Sequence, residues 1–110
     1  MKTRIKATNI NLTPYLEKLV KEKMADIAKI LRGETVLIAE IEIGITNKHH
    51  QKGDIYRSEI QIEVPGKLFR AVSEKEDFRS SLTDAKKEIE EQIIKHKDKK
   101  ITKKKKVIKE

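Results

Sequence analysis

The sequence predicts an α+β fold in the order β-α-β-β-β-α, a single four-stranded sheet with two helices packed on one face. Three observations predict it. Four stretches alternate apolar and polar residues, two longer stretches repeat apolar residues at the helical period, and the strands carry their glutamates on one side only. A sheet wet on one face is covered on the other, so both helices belong on the same side. At 110 residues the chain holds one domain. Hydrophobic residues make up 36% and charged residues 40%, which suffices for one modest core only because the pattern is strict.

The first strand, Lys2 to Thr8, sets Ile5 and Ala7 against Arg4, Lys6 and Thr8. Asn9 to Leu12 then leads into Thr13-Pro14, a helix start. The Thr hydroxyl can accept from an orphaned backbone N–H, and Pro at the first helical position has no N–H to lose. The helix runs to Leu31 or Arg32, because Gly33 suits the left-handed position that closes it. Leu16, Leu19, Val20, Ile27, Ile30 and Leu31 form its apolar stripe. At about 100° per residue, Lys18, Lys21, Lys29 and Arg32 gather opposite, with Glu22 among them. Lys23 rises from within the stripe and is expected to snorkel to its edge.

Val36 to Thr46 reads as a second strand, with Leu37, Ala39, Ile41, Ile43 and Ile45 inward and Glu40, Glu42 and Thr46 outward. Asn47 to Gly53 is a polar connection whose neighbouring His49 and His50 lack a third ligand, so no metal site is expected there. In the third strand, Ile55 to Val64, Tyr56, Ser58, Ile60, Ile62 and Val64 face in, and Arg57, Glu59, Gln61 and Glu63 face out. Pro65-Gly66 turns the chain into a fourth strand, Lys67 to Val72, which must run antiparallel to the third; Phe69 and Ala71 point inward and Arg70 outward. Ser73 to Glu76 leads into the last helix near Asp77, with Phe78, Leu82, Ala85, Ile89 and Ile93 as its stripe. Arg79, Lys86 and Lys97 follow one flank of that helix, while Lys87 and Lys95 lie elsewhere on it. From Lys97 onward the amphipathic pattern fades, which divides the chain into a folded domain over 1–97 and a mobile basic tail over 98–110.

Charge and composition narrow the function. The net charge is +8, from 26 Lys and Arg against 18 Asp and Glu, an excess that favours polyanions. Outward glutamates on two strands make the sheet a poor surface for phosphate, so the basic surface is assigned to the helices. No Ser/His/Asp or Cys/His arrangement, Gly-rich phosphate loop or metal-ligand spacing stands in the chain, so neither an enzyme, a cofactor, a metal nor a small-molecule substrate is expected. A small ribonuclease would require Asp54, His49 and His50 to meet by accident of folding. Aromatic residues are 4%, with Phe69 and Phe78 in core register, which argues against a base-stacking single-strand binder and leaves a reader of folded RNA by shape and phosphate. Absence of cysteine fits a reducing compartment, and no apolar run approaches a membrane span, so a soluble cytoplasmic protein without a membrane partner is expected.

The run Val64-Pro-Gly-Lys-Leu-Phe-Arg-Ala71, followed by Glu76-Asp-Phe78, Leu82, Ala85, Ile89, Gln92, Ile93 and Lys95-His-Lys-Asp-Lys99, resembles the ribosome hibernation promoting factors. These are also called ribosome-associated inhibitors or light-repressed proteins. Asn9 to Thr13 and Lys23 echo their N-terminal half, and the resemblance covers about residues 2 to 100. It implies the β-α-β-β-β-α fold, similar in outline to double-stranded-RNA-binding domains. It also implies binding to the small ribosomal subunit and its rRNA, in the channel between head and body where messenger RNA and the A- and P-site transfer RNAs otherwise lie. Translation would then be blocked by occlusion, as in a bacterial stress response. Long members carry a further domain that joins two ribosomes; this chain looks like the short form, a monomer off the ribosome, with a second factor as the route to any ribosome dimerisation.

Lys23, Arg70, Lys95 and Lys97 match family positions. Glu88, Glu91 and Ile94 stand where members tend to be basic, and Glu17 where the first helix often carries Arg; Arg79, Lys86 and Lys87 could restore that charge, as could Lys103 to Lys106 in the tail. The candidate rRNA-binding residues are therefore Lys18, Lys21, Lys23, Lys29 and Arg32 on the first helix, Arg70 on the fourth strand, and Arg79, Lys86, Lys87, Lys95, Lys97, Lys99 and Lys100 on the last helix. The alternative is a general double-stranded-RNA-binding or ribosome-assembly protein. The family is also named for modulation of a transcription sigma factor, which nothing in these residues calls for.

Overall fold

Six elements follow one another as β1 (Arg4–Thr8), α1 (Pro14–Ile30), β2 (Ile38–Thr46), β3 (Ile55–Val64), β4 (Lys67–Lys75) and α2 (Phe78–Lys109). The computed structural model describes residues 1–46 and 53–109, with side chains as far as residue 99; the His49-His50 connection and the side chain of Lys100 lie outside the described residues. The backbone of α2 continues to Lys109, through the segment that the sequence sets apart as a tail.

The strands pair in chain order, β1-β2-β3-β4. β1 lies parallel to β2, and the β2–β3 and β3–β4 pairs are antiparallel. A parallel pair needs a long crossover, which α1 supplies. The register aligns inward side chains in rows: Ala39 with Ile62 and Phe69, and Ile41 with Ile60 and Ala71. Outward residues align likewise: Arg4, Glu40, Gln61 and Arg70 form one row, and Lys6, Glu42, Glu59 and Val72 the next. Because side chains alternate with period two, this register buries every inward aliphatic residue of β3 at once.

Both helices cover the same face. α1 contributes Leu19, Val20, Met24 and Ile27, with Leu31 at its C-cap, and α2 contributes Phe78, Leu82, Ala85, Ile89 and Ile93 to a single core. Burying each of the Leu, Val, Ile, Met and Phe side chains among these is worth about 1.5–3 kcal/mol. The predicted start of α1 is present: Thr13 accepts from the Leu16 N–H at 3.2 Å, and Pro14 opens the helix. Gly33, at φ +91°, takes the left-handed conformation after the helix, and Gly66, at φ +78°, does so in the two-residue turn between β3 and β4.

Several boundaries differ from the sequence expectation. β1 begins at Arg4 and β2 at Ile38; Leu37 thus precedes its strand and is 56% exposed instead of facing inward. Ala7 is exposed, since β1 is an edge strand, and Ile45 is half-buried near the end of β2. β4 continues to Lys75, past Val72, because the first residues of the longer β3 need a partner: Ser73, Glu74 and Lys75 pair with Ser58, Arg57 and Tyr56. Polar composition there suggests a loop, and cross-strand pairing overrides it. Met24, absent from the expected stripe, is 2% exposed.

A polar contact crosses the core. Ser58 of β3 and Ser81 of α2, both fully buried, lie 2.7 Å apart, and the Ser81 hydroxyl donates to the Phe78 carbonyl at 3.2 Å. With Ser81 so engaged, Ser58 is the donor between the two, and each buried hydroxyl has a partner. At the start of α2 the Asp77 carboxylate accepts from both the Ser80 N–H, at 2.8 Å, and the Ser80 hydroxyl, at 2.7 Å. These bonds, the backbone one foremost, hold its pKa below the ordinary value.

Candidate nucleic-acid interface

Helical periodicity puts Arg79, Lys86 and Lys97 on one flank of α2, and the fold sets that flank against α1. Arg79 donates to the Tyr15 hydroxyl at 2.6 Å. Lys86 lies 3.2 Å from Asp26 and 3.9 Å from Glu90. Lys97 donates to the carbonyl of Ile30, at the C-terminal end of α1. Partners ascend together along both chains, so the two helices run side by side in the same direction. A cation at the carbonyl end of α1 also complements the helix dipole. The hydrogen bond to Tyr15 is the main reason the Arg79 pKa lies above its ordinary value.

The basic residues of α1 have a different setting. Lys18 and Arg32 are exposed. Lys21 pairs with Glu17 one turn earlier at 2.8 Å, and Lys29 approaches Asp26 at 3.9 Å, with the lysine side chains 66% and 75% exposed. Exposed pairs of this kind contribute only about 0.3–0.5 kcal/mol, and a phosphate can displace them. Lys23 is half-buried, as expected of a lysine rising from the apolar stripe. On α2, Lys87, Lys95 and Lys99 are exposed among Glu88, Glu91 and Asp98, which makes that surface nearly neutral.

Arg70 stands apart from these residues, on the outer face of the sheet. It donates to Glu59 at 2.6 Å, and Arg57 binds the same carboxylate at 2.9 Å. The Arg70 hydrogen bond, reinforced by Arg57, draws the Glu59 pKa below its ordinary value despite partial burial. The backbone of Arg70 is engaged as well: its N–H donates to Gln92 Oε1 at 3.2 Å, and its carbonyl accepts from Gln92 Nε2 at 2.8 Å. β4 is an edge strand, so this side chain of α2 occupies backbone groups that would otherwise be open to another strand.

The structure therefore leaves Lys18, Lys21 and Lys29 on α1, and Arg32 just beyond its end, exposed, sets Arg79, Lys86 and Lys97 in contact with α1, and places Arg70 on the opposite face. Sequence reasoning missed Tyr15 and Asp26 as seam partners, because periodicity gives a residue's angle about its own helix without saying what lies there. Position in the first turn, off the apolar stripe, was the available signal for Tyr15. Among the described residues no group of three or more His, Cys, Asp or Glu could hold a metal, and no helix is long and apolar enough to cross a membrane.

An α+β sheet backed by two parallel helices, with a cationic outer helix face, defines the class. The model of the family described as "Sigma 54 modulation protein / S30EA ribosomal protein" matches residues 3–101, and the chain belongs to that family. Among solved structures, the N-terminal domain of Thermus thermophilus Protein Y superposes with a TM-score of 0.68 at 22% identity, over 82% of this chain and 91% of that one. A ribosomal subunit interface protein from Coxiella burnetii gives the same TM-score of 0.68 at 18% identity, over 89% of this chain and 99% of the other. At such identities the likeness is one of fold. No curated protein matches the chain in sequence.

Proposed function

We propose that the protein binds the small ribosomal subunit in the channel between head and body, where messenger RNA and the A- and P-site transfer RNAs otherwise lie, and blocks translation by occupying it. The observation that carries this reading is family membership across residues 3–101. The Coxiella burnetii neighbour, itself titled a ribosomal subunit interface protein, supports it. So does the net charge of +8 together with the lysines on the open side of α1.

In this reading residues 1–97 are the ribosome-binding domain and 98–110 a basic extension that adds attraction for rRNA. The protein acts in the cytoplasm without chemistry, as a monomer off the ribosome, and any ribosome pairing passes through a second factor. Each lysine or arginine that meets a phosphate releases condensed counterions, so affinity falls steeply with salt.

The test is co-sedimentation with purified small subunits over a salt series, followed by competition with transfer RNA. Association that weakens with salt and is displaced by transfer RNA is expected. Binding that transfer RNA leaves untouched, with equal affinity for isolated duplex RNA, would instead mark a general double-stranded-RNA or assembly protein.

A further inference from the structure

Of the four Phe and Tyr rings in this chain, three belong to the core. Phe69 and Phe78 are 1% and 8% exposed, and half-buried Tyr56 meets Phe78 edge to face at 6.5 Å. Tyr15 is the exception, at 59% exposed. Its hydroxyl is held by Arg79 across the seam at 2.6 Å, which restrains the ring and leaves much of its surface open to solvent. Lys18 follows one turn later on α1 and is also exposed. Glu22, a further turn on, lies close enough to interact with Arg79.

A single exposed tyrosine is unremarkable on a protein surface. This one has its hydroxyl held by Arg79 of α2 and an exposed cation, Lys18, one turn along its own helix. An apolar protein partner would be poorly matched, because exposed Lys18 and Glu22 follow Tyr15 on α1 and Arg79 holds its hydroxyl. An unpaired nucleobase matches well: its face stacks on the phenol ring while its phosphates meet the flanking cations, and stacking on aromatic side chains is a general means of holding splayed-out bases in folded RNA.

We propose that Tyr15, oriented by Arg79 and flanked by Lys18, is a stacking platform for one unpaired base of the bound RNA. The proposal rests on the reading that this protein binds the small ribosomal subunit, and adds to it a contact that is neither electrostatic nor shape-based. The low aromatic content argues against a surface built on stacking; it leaves room for one such contact at the edge of a phosphate-binding face.

The test compares the full-length wild type with Tyr15→Ala, Tyr15→Phe and Arg79→Gln. Affinity for purified small subunits is measured at several salt concentrations, with dimethyl sulfate probing of rRNA bases in parallel. Tyr15→Ala should weaken binding about 5- to 100-fold with an unchanged salt slope, and one base protected by the wild type should become reactive. Tyr15→Phe keeps the ring but, like Arg79→Gln, loses the orienting bond, so it should bind between the wild type and Tyr15→Ala, with the Tyr15-dependent protection weakened. Arg79→Gln should reduce the salt slope by about one if the guanidinium also meets a phosphate, and leave the slope unchanged if it only orients the ring; in both cases the Tyr15-dependent protection weakens, and full protection overturns its orienting role. Wild-type affinity and protections in Tyr15→Ala overturn the platform, as does a Tyr15→Phe as weak as Tyr15→Ala while Arg79→Gln keeps wild-type affinity, which would make the hydroxyl the contact. Failure of the wild type itself to bind subunits is a different outcome, which removes the functional reading and this proposal with it.

Discussion

Arg79, Lys86 and Lys97 on α2 make contacts with α1, whereas Lys18, Lys21 and Lys29 on α1, and Arg32 just beyond its end, are exposed. Both rows are basic and regularly spaced, yet their neighbours differ. Lys86 is 21% exposed beside Asp26, and Lys97 caps the last carbonyl of α1. Turning either towards a phosphate would break a contact that holds the helices together. Lys21 pairs with Glu17 on its own helix, and Lys29 lies 3.9 Å from Asp26, which Lys86 approaches more closely, so a phosphate can replace either contact with little loss. Spare binding capacity thus depends on what else a cation already holds, and the α1 row has more of it.

The strongest test of this contrast is charge reversal on the open row. Changing Lys18, Lys21, Lys29 and Arg32 together to Glu should lower affinity for small subunits by at least about a hundredfold and flatten the salt dependence, with the thermal midpoint little altered. Retained binding with an unchanged salt slope would move the interface off α1.

Reversal in the seam should act on the fold first. Lys86→Glu sets a carboxylate beside Asp26 and Glu90 and should cost about 1–2 kcal/mol of stability, after allowance for the partial exposure of Asp26. Lys95→Glu, on the solvent side of α2, should leave stability within about 0.5 kcal/mol. Urea unfolding of the two variants separates these expectations, and equal midpoints would dissolve the distinction between seam and surface.

A smaller effect is expected at the sheet edge. Gln92→Leu removes both bonds to the Arg70 backbone and should cost about 0.5–1.5 kcal/mol, with faster exchange of the Arg70 amide hydrogen. Unchanged exchange at that amide would show that Gln92 does not guard the edge.

The smallest effect concerns Glu59, which Arg70 and Arg57 hold with a lowered pKa. A carboxylate whose folded pKa is depressed stabilises the protein above its unfolded value, about 4.3, and loses that contribution as pH falls through the folded pKa. Glu59→Gln should therefore reduce stability at neutral pH and narrow its difference from the wild type in acid. A difference that stays constant from neutral pH to below 4, in thermal melts, would mean that the two arginines do not act through the charge of Glu59.

Much of the fold was legible because it is local. Phe78, Leu82, Ala85, Ile89 and Ile93 repeat at the helical period and are all buried; Thr13-Pro14 and Pro65-Gly66 mark a helix start and a turn by their own backbone chemistry. Ser73 to Lys75 was misread for the opposite reason, since those residues are strand only through their pairing with β3. Ser81 escaped notice as a core residue because its partner, Ser58, lies 23 positions away.

The candidate surface divides in the same way. Sequence alone determined the net charge, the two basic rows and their angles about each helix axis, because these follow from residue type and a fixed period. Tertiary structure alone decided that the α2 row meets Tyr15, Asp26 and the Ile30 carbonyl, that Arg70 lies across the sheet from the helical lysines, and that Tyr15 stays in solvent beside Arg79. The physical reason is that a side chain's availability depends on the surface packed against it. That surface comes from a distant part of the chain and leaves no trace in local periodicity.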